Sequence, residues 1–192
     1  MSKPDLGPFG YYPGDYIFKC KTCDTEYWDG DKRCINCMSC AMNMWEQDQI
    51  IKLLVCGGRD YGWKEVNGKR VRDLDECEGL CDILDGFLES SEKQFNTNIK
   101  SPRRWSASNL LVIHGNANGA DKLAGAWARA VGAGEHGVGA DWKKYGRGAG
   151  FIRNAEMLEL KPDFVIAFPG GAGTKMMVSL AKRAGVPVKE IT

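Results

Sequence analysis

Three short apolar runs, IIKLLVC (50–56), LLVIH (110–114) and DFVIAF (163–168), show no polar alternation, and each breaks off into small residues: GGRDYG, GNANGAD and PGGAGT. A strand that faces solvent on one side alternates, whereas a strand buried on both faces reads as a continuous apolar run. Helix-length segments separate the three runs. The pattern therefore predicts an α/β fold, a parallel sheet with helices on both faces. The predicted helices cover Val71 to Leu88, Asp121 to Val131, Ala149 to Leu160 and Thr174 to Ala184, and VPVKEI forms a last strand. In the first of these helices Val71, Leu74, Cys77, Cys81, Leu84 and Leu88 recur at spacings of three and four. Asn67-Gly68 within KEVNGKRV marks a small hairpin, and the polar stretch from Ser90 to Ser108 reads as an exposed loop.

In an open parallel sheet, ligands bind beyond the carboxyl ends of the strands, so the three glycine-rich ends are expected on one rim. Each leads into a helix whose first amides lack partners and whose dipole is positive there. Residues without side chains let such amides approach an anion, which makes Gly170, Gly171, Gly173 and Thr174 a phosphate cradle. Arg59 and Asp60 follow the first run, Gly115, Asn116 and Asp121 the second, and Arg153 with Asn154 sits early in a helix. Arg153 suits a bidentate phosphate contact. Asp121 fits either a ribose hydroxyl or a helix start, and His114 reads as a satisfied histidine at the sheet rim rather than a catalytic base. Neither GxGxxG nor GxxxxGK[ST] occurs, which argues against a standard dinucleotide fold or a P-loop NTPase.

The first 48 residues have a different texture, with clustered cysteines, aromatics and turn residues. Eight cysteines in a chain whose start, MSKPDLGPFGYYPGDY, lacks the layout of a signal peptide read as reduced thiols or metal ligands, and a cytoplasmic location is expected. CKTC (20–23) and CINCMSC (34–40) give two CxxC turns, a spacing that presents four thiolates to a structural zinc ion. Cys20 and Cys23 form the first pair. The second is Cys34 with Cys37 or Cys37 with Cys40, and the small Ala41 after Cys40 favours the latter. The division expected is a zinc ribbon over 1–48 and a ligand-binding domain over 49–192. The net charge of +1 argues against bulk electrostatic binding of nucleic acid, although Lys100, Arg103, Arg104 with Trp105, Lys143, Lys144 and Arg147, and the ribbon's Tyr27, Trp28, Lys32 and Arg33 are local candidates for it. No apolar run is long enough to cross a bilayer.

The segments VCGGRDY, VIHGNANGADKLAGAWA, ADWKKYGRGAGFIRNAEML and KPDFVIAFPGGAGT together resemble the YspA-like branch of the SLOG superfamily, Rossmann-like domains for nucleotides and nucleotide-derived ligands. The resemblance covers residues 50–192 apart from insertions. It implies Gly57, Gly58, Arg59, Asp60, Gly115, Asp121, Arg153, Asn154, Gly170, Gly171, Gly173 and Thr174 as ligand residues. The "lonely guy" phosphoribohydrolases of the superfamily pair such an arginine with glutamates after PGGxGT; here Met176 and Met177 occupy those positions. Methionine neither transfers a proton nor stabilises an oxocarbenium-like centre. Arg153, Glu156 and Asp121 are left as candidate catalytic residues. The DNA-processing DprA proteins share the superfamily, which makes a nucleic-acid partner an alternative, and a homo-oligomer is also compatible. The cysteine segment is similar to small zinc ribbons of tailed-phage proteins, in which the position of Cys34 is commonly not a ligand. A phage protein that sequesters or processes a nucleotide signal is the reading this combination implies.

Overall fold

The computed structural model describes residues 4–48, 50–98 and 106–192. Two compact units divide the chain, the smaller built on Met1–Ile50 and the larger on Ile51–Phe95 and Ser106–Thr192.

The smaller unit holds an antiparallel hairpin, β1 (Pro13–Lys19) with β2 (Glu26–Gly30), followed by helix α1 (Met38–Asp48). Phe18 stacks on Tyr27 across the hairpin. Sequence periodicity missed α1 because its buried stripe is short: Ala41 and Trp45, one helical turn apart, close over Leu6 and Tyr11. The cysteine module thus has a small apolar core beside its thiols.

The larger unit contains a five-stranded parallel sheet flanked by helices. Strand β3 (Ile51–Cys56) leads into a hairpin of β4 (Trp63–Val66) and β5 (Lys69–Arg72), then helix α2 (Leu74–Asn98). Next come β6 (Leu110–His114), α3 (Ala120–Val131), β7 (Gly134–Gly137), the short α4 (Trp142–Tyr145), α5 (Ala149–Glu159), β8 (Phe164–Ala167), α6 (Ala172–Arg183) and β9 (Val188–Glu190). The spatial order is β7-β6-β3-β8-β9, all neighbours parallel. Counted along this sheet alone, that order is 3-2-1-4-5, the doubly wound arrangement, and its topological switch lies between β3 and β8.

Alternate residues of the central strands feed two layers. Leu54, Cys56, Ile113, Val165 and Ala167 pack against Met157 of α5 and Met177, Val178 and Ala181 of α6. On the opposite face Phe87 of α2 meets Phe164 of β8 at 5.4 Å. There the indole of Trp127 in α3 donates to the Asp85 carboxylate of α2 at 2.8 Å.

Three expectations need correction. The helix predicted over Val71 to Leu88 begins at Leu74 and runs to Asn98, so the first part of the loop expected over 90–108 is helical; residues 99–105 lie outside the described residues. Val71 belongs to β5, because Asn67 (φ 52°) and Gly68 (φ 71°) turn the hairpin tightly in the left-handed region and carry the return strand to Arg72. Strand β7 was not anticipated, since GEHG is exposed throughout and pairs only along the sheet edge.

The face that α2 buries is set by Leu80 and Leu84, both fully buried, whereas Leu74 is 64% exposed. Leu84→Ala is therefore expected to lower stability by about 2–5 kcal/mol, and Leu74→Ala by less than about 0.5 kcal/mol. Urea unfolding of the two variants checks the assignment, and comparable losses would contradict it.

Candidate functional site

The loops after β3 and β8 grip one another at the switch point. The Phe168 amide donates to the Cys56 carbonyl (2.8 Å), and the Gly58 amide donates to the Pro169 carbonyl (2.8 Å). The Gly58 carbonyl accepts in turn from the Ala120 amide at the start of α3 (3.2 Å). A methyl group at Gly57 would lie 2.5 Å from the Ala120 Cβ, one at Gly58 would lie 2.9 Å from the Pro169 carbonyl oxygen, and one at Gly170 would lie 2.7 Å from the Gly58 nitrogen. Gly119 has φ 79° and faces the Gly58 carbonyl, so a side chain there is excluded by conformation as well as by space. These four glycines are small because the loops are in contact.

Gly171 and Gly173 differ. Among the described residues, and apart from the adjoining backbone, nothing lies within 4 Å of a Cβ built at either. Both line a cavity of about 690 Å3 that opens beyond β3 and β8. They also sit at the start of α6, whose N-cap, Gly171, provides no side-chain hydrogen bond to the first turn. A twelve-residue helix thus presents its amino end to the cavity with no side-chain cap from its N-cap residue.

Deeper in the same cavity lie Asp121, Arg153 and Asn154. Asn154 is buried and donates to the Gly173 carbonyl at 3.0 Å, which ties α5 to the first turn of α6. Its side-chain oxygen accepts from Arg153 Nε at 3.1 Å. Arg153 also donates through Nη1 to the Gly115 carbonyl, and its Nη1 stands 3.8 Å from the Asp121 carboxylate. These contacts use two of the five guanidinium N–H groups, leaving the rest of the fork available. Burial lowers the Arg153 pKa, an effect that Asp121 opposes and Arg59 reinforces. Asp121 accepts from the Ala117 amide at 3.2 Å, and burial raises its pKa against the opposing pull of that amide and of Arg153.

Of the residues singled out from sequence, Gly57, Gly58, Arg59, Asp60, Asp121, Arg153, Asn154, Gly170, Gly171, Gly173 and Thr174 all line this cavity. Gly115 and Asn116 do not. The Gly115 carbonyl is covered by Arg153, and the Asn116 amide donates to His114 Nδ1 at 3.1 Å, so the loop after β6 turns polar groups inward. His114 is 2% exposed and also contacts Glu135 through Nε2 at 3.0 Å, a fully satisfied ring. Glu156 is exposed on α5 and lies outside the lining, while Met177 is buried in the core and not in the cavity. Sequence reasoning missed the aromatic part of the wall: Tyr61, Trp63, Trp142 and Phe151. Tyr61 and Trp63 come from the loop and hairpin after β3, and no periodicity links them to the glycine-rich ends.

In the smaller unit, the sulfur atoms of Cys20, Cys23, Cys37 and Cys40 all lie within 4.8 Å of one another, and Cys23 and Cys37 are 4.0 Å apart. A tetrahedron with metal–sulfur bonds of about 2.3 Å has edges of about 3.8 Å, so the four thiols fit one metal ion. The Cys40 amide points at Cys37 Sγ (3.5 Å), the turn geometry expected of a ligand pair. Cys34 is held apart: its thiol donates to the Tyr12 carbonyl at 3.0 Å and accepts from the Tyr12 amide at 3.2 Å. The Thr25 amide, followed by the Tyr27 hydroxyl, pulls Cys23 down to about 6, whereas the hydrogen bond with Cys37 pushes Cys40 up to about 12. Four thiolates so close together repel, and a cation is what allows all of them to ionise.

The Gene 61 protein of Mycobacterium phage D29 is 40% identical to the chain over 88 residues, which make up 41% of this chain and 69% of the phage protein. The chain belongs to the family of that protein. No family model matches it. A solved structure, the structural-genomics target TM1055, is similar at 20% identity and a TM-score of 0.47 over 72% of each chain. Among the described residues, no helix of this member of the Gene 61 protein family is long and apolar enough to cross a membrane.

The Asp121 carboxyl sets a pH signature. Its folded pKa is raised from 3.8, so the folded state holds the proton more tightly than the unfolded chain does. The group's contribution is fully present below its unfolded pKa and is lost as pH rises through the raised folded value. The stability of the wild type relative to Asp121→Asn should therefore fall as pH rises above 3.8, as denaturant titrations between acid and neutral pH will register. A pH-independent difference would contradict the assignment.

Proposed function

We propose that the larger unit binds a nucleotide or nucleotide-derived small molecule by its phosphate, with the anion at the amino end of α6. The observation that carries this reading is the pair Gly171 and Gly173, which line the cavity with no packing reason to lack side chains. Backbone amides left bare at a helix start are an anion site, and the switch point of a doubly wound sheet is where such ligands bind. Thr174 adds a hydroxyl and Arg153 a partly free guanidinium beside the cradle, while Asn154 holds the first turn of α6 in place. The resemblance to the YspA-like branch of the SLOG superfamily points the same way.

Binding is favoured over hydrolysis. Of the carboxylates in the wall, Asp60 is paired with Arg70 at 2.8 Å, Glu76 accepts from the Gly62 amide at 2.6 Å, and Asp121 fastens its own loop through Ala117. None is a free acid or base beside the cradle. The relationship to a phage protein suits a role in capturing a nucleotide signal. Recognition of DNA has less support: Lys143, Lys144 and Arg147 are exposed, but Lys100, Arg103, Arg104 and Trp105 lie outside the described residues.

The smaller unit is read as a zinc ribbon, in which Cys20, Cys23, Cys37 and Cys40 would hold one Zn2+ as a structural ion. Zinc suits an all-thiolate tetrahedral set, and such a closed site leaves no position for catalysis.

Two experiments test these readings. Gly173→Ala places a methyl group in the cavity at a helical position, so it should keep or raise stability by up to about 1 kcal/mol while abolishing thermal stabilisation by AMP, ADP, GMP and GDP. Wild-type protein that none of the four stabilises would count against nucleotide binding. For the metal, elemental analysis should find one zinc per chain in the wild type and in Cys34→Ser, and none in Cys37→Ser; loss in Cys34→Ser would refute the ligand set.

A further inference from the structure

The cavity wall holds more guanidinium groups than one phosphate would use. Three arginines line it: Arg59, Arg147 and Arg153. Arg153 faces Asp121, whereas Arg59 and Arg147 have no carboxylate within 4.0 Å among the described residues. The wall's other acids are engaged elsewhere, Asp60 with Arg70 and Glu76 with the Gly62 amide. Arg59 is exposed, yet its side chain is not free of the protein. Its guanidinium lies over the Trp142 ring, 5.2 Å from the centroid, so the indole holds it at the cavity wall. Arg147 follows Trp142 by one short turn, in the Gly146–Gly148 segment that leads into α5. Unpaired like charges gathered on one concave, partly apolar wall raise its electrostatic free energy until an anion arrives.

We infer that Arg59 and Arg147 form a second anion subsite at the mouth of the cavity, so that the ligand is a nucleoside diphosphate or a diphosphate ester rather than a nucleoside monophosphate. This rests on the reading that the cavity binds a nucleotide through the amino end of α6. One phosphate occupies the cradle, and the added phosphate meets guanidinium groups that the cradle does not supply. Trp142, already beneath Arg59, gives the same region a flat apolar surface.

The test is calorimetric titration of the wild type with AMP, ADP, GMP and GDP at low and at physiological salt, repeated on Arg147→Ala and Arg147→Lys. A diphosphate should bind about tenfold or more tightly than the matching monophosphate, the scale of one charge-assisted hydrogen bond, and the preference should shrink as salt rises. Arg147→Ala should remove most of that preference and Arg147→Lys retain part of it. Equal affinity for mono- and diphosphates would leave nucleotide binding intact and overturn the second subsite. A preference unchanged in Arg147→Ala would do the same. Failure of all four nucleotides to bind would overturn both.

Discussion

The fold around the cavity depends on backbone contact between two loops. The Gly58 amide reaches the Pro169 carbonyl while the Gly58 carbonyl takes the Ala120 amide, so one glycine joins the ends of β3 and β8 to the start of α3. That contact is short enough to exclude side chains at Gly57, Gly58, Gly119 and Gly170. With these glycines committed to packing, the floor of the cavity between β3 and β8 is fixed by main chain. Preorganisation of this kind reduces what a ligand must order on binding.

The glycine clusters announced the rim, and the apolar runs announced the sheet, because both report directly on burial and backbone approach. What the sequence could not separate was why each glycine is small. Gly58 and Gly171 stand in similar contexts, yet one amide is bonded to a neighbouring loop and the other residue has open space beside it. That distinction arises only when sequence-distant loops meet. The same holds for Trp63 and Trp142, far apart in the chain and on one wall in the fold. The end of α2 and the edge strand β7 were hidden for a different reason. GEHG has no apolar signal, and the polar end of α2 looks like a loop to any reading that follows hydrophobic periodicity.

The two units rest on different stabilising terms. In the larger unit apolar side chains from the sheet and from α5 and α6 fill a layer that excludes water. In the smaller unit the apolar cluster is limited to Leu6, Tyr11, Ala41 and Trp45 with a few neighbours, and four thiols sit beside it. Small modules of this size seldom hold together on burial alone. A cation held by those four thiols would supply what the cluster lacks.

Five cysteines between positions 20 and 40 offer several ways to choose a quartet, and a chain emerging from synthesis has no means of ranking them by sulfur chemistry alone. The double hydrogen bond between Cys34 and the Tyr12 main chain holds that sulfur apart from the other four. Among the described residues this leaves Cys20, Cys23, Cys37 and Cys40 as the quartet whose sulfur atoms lie within 4.8 Å of one another.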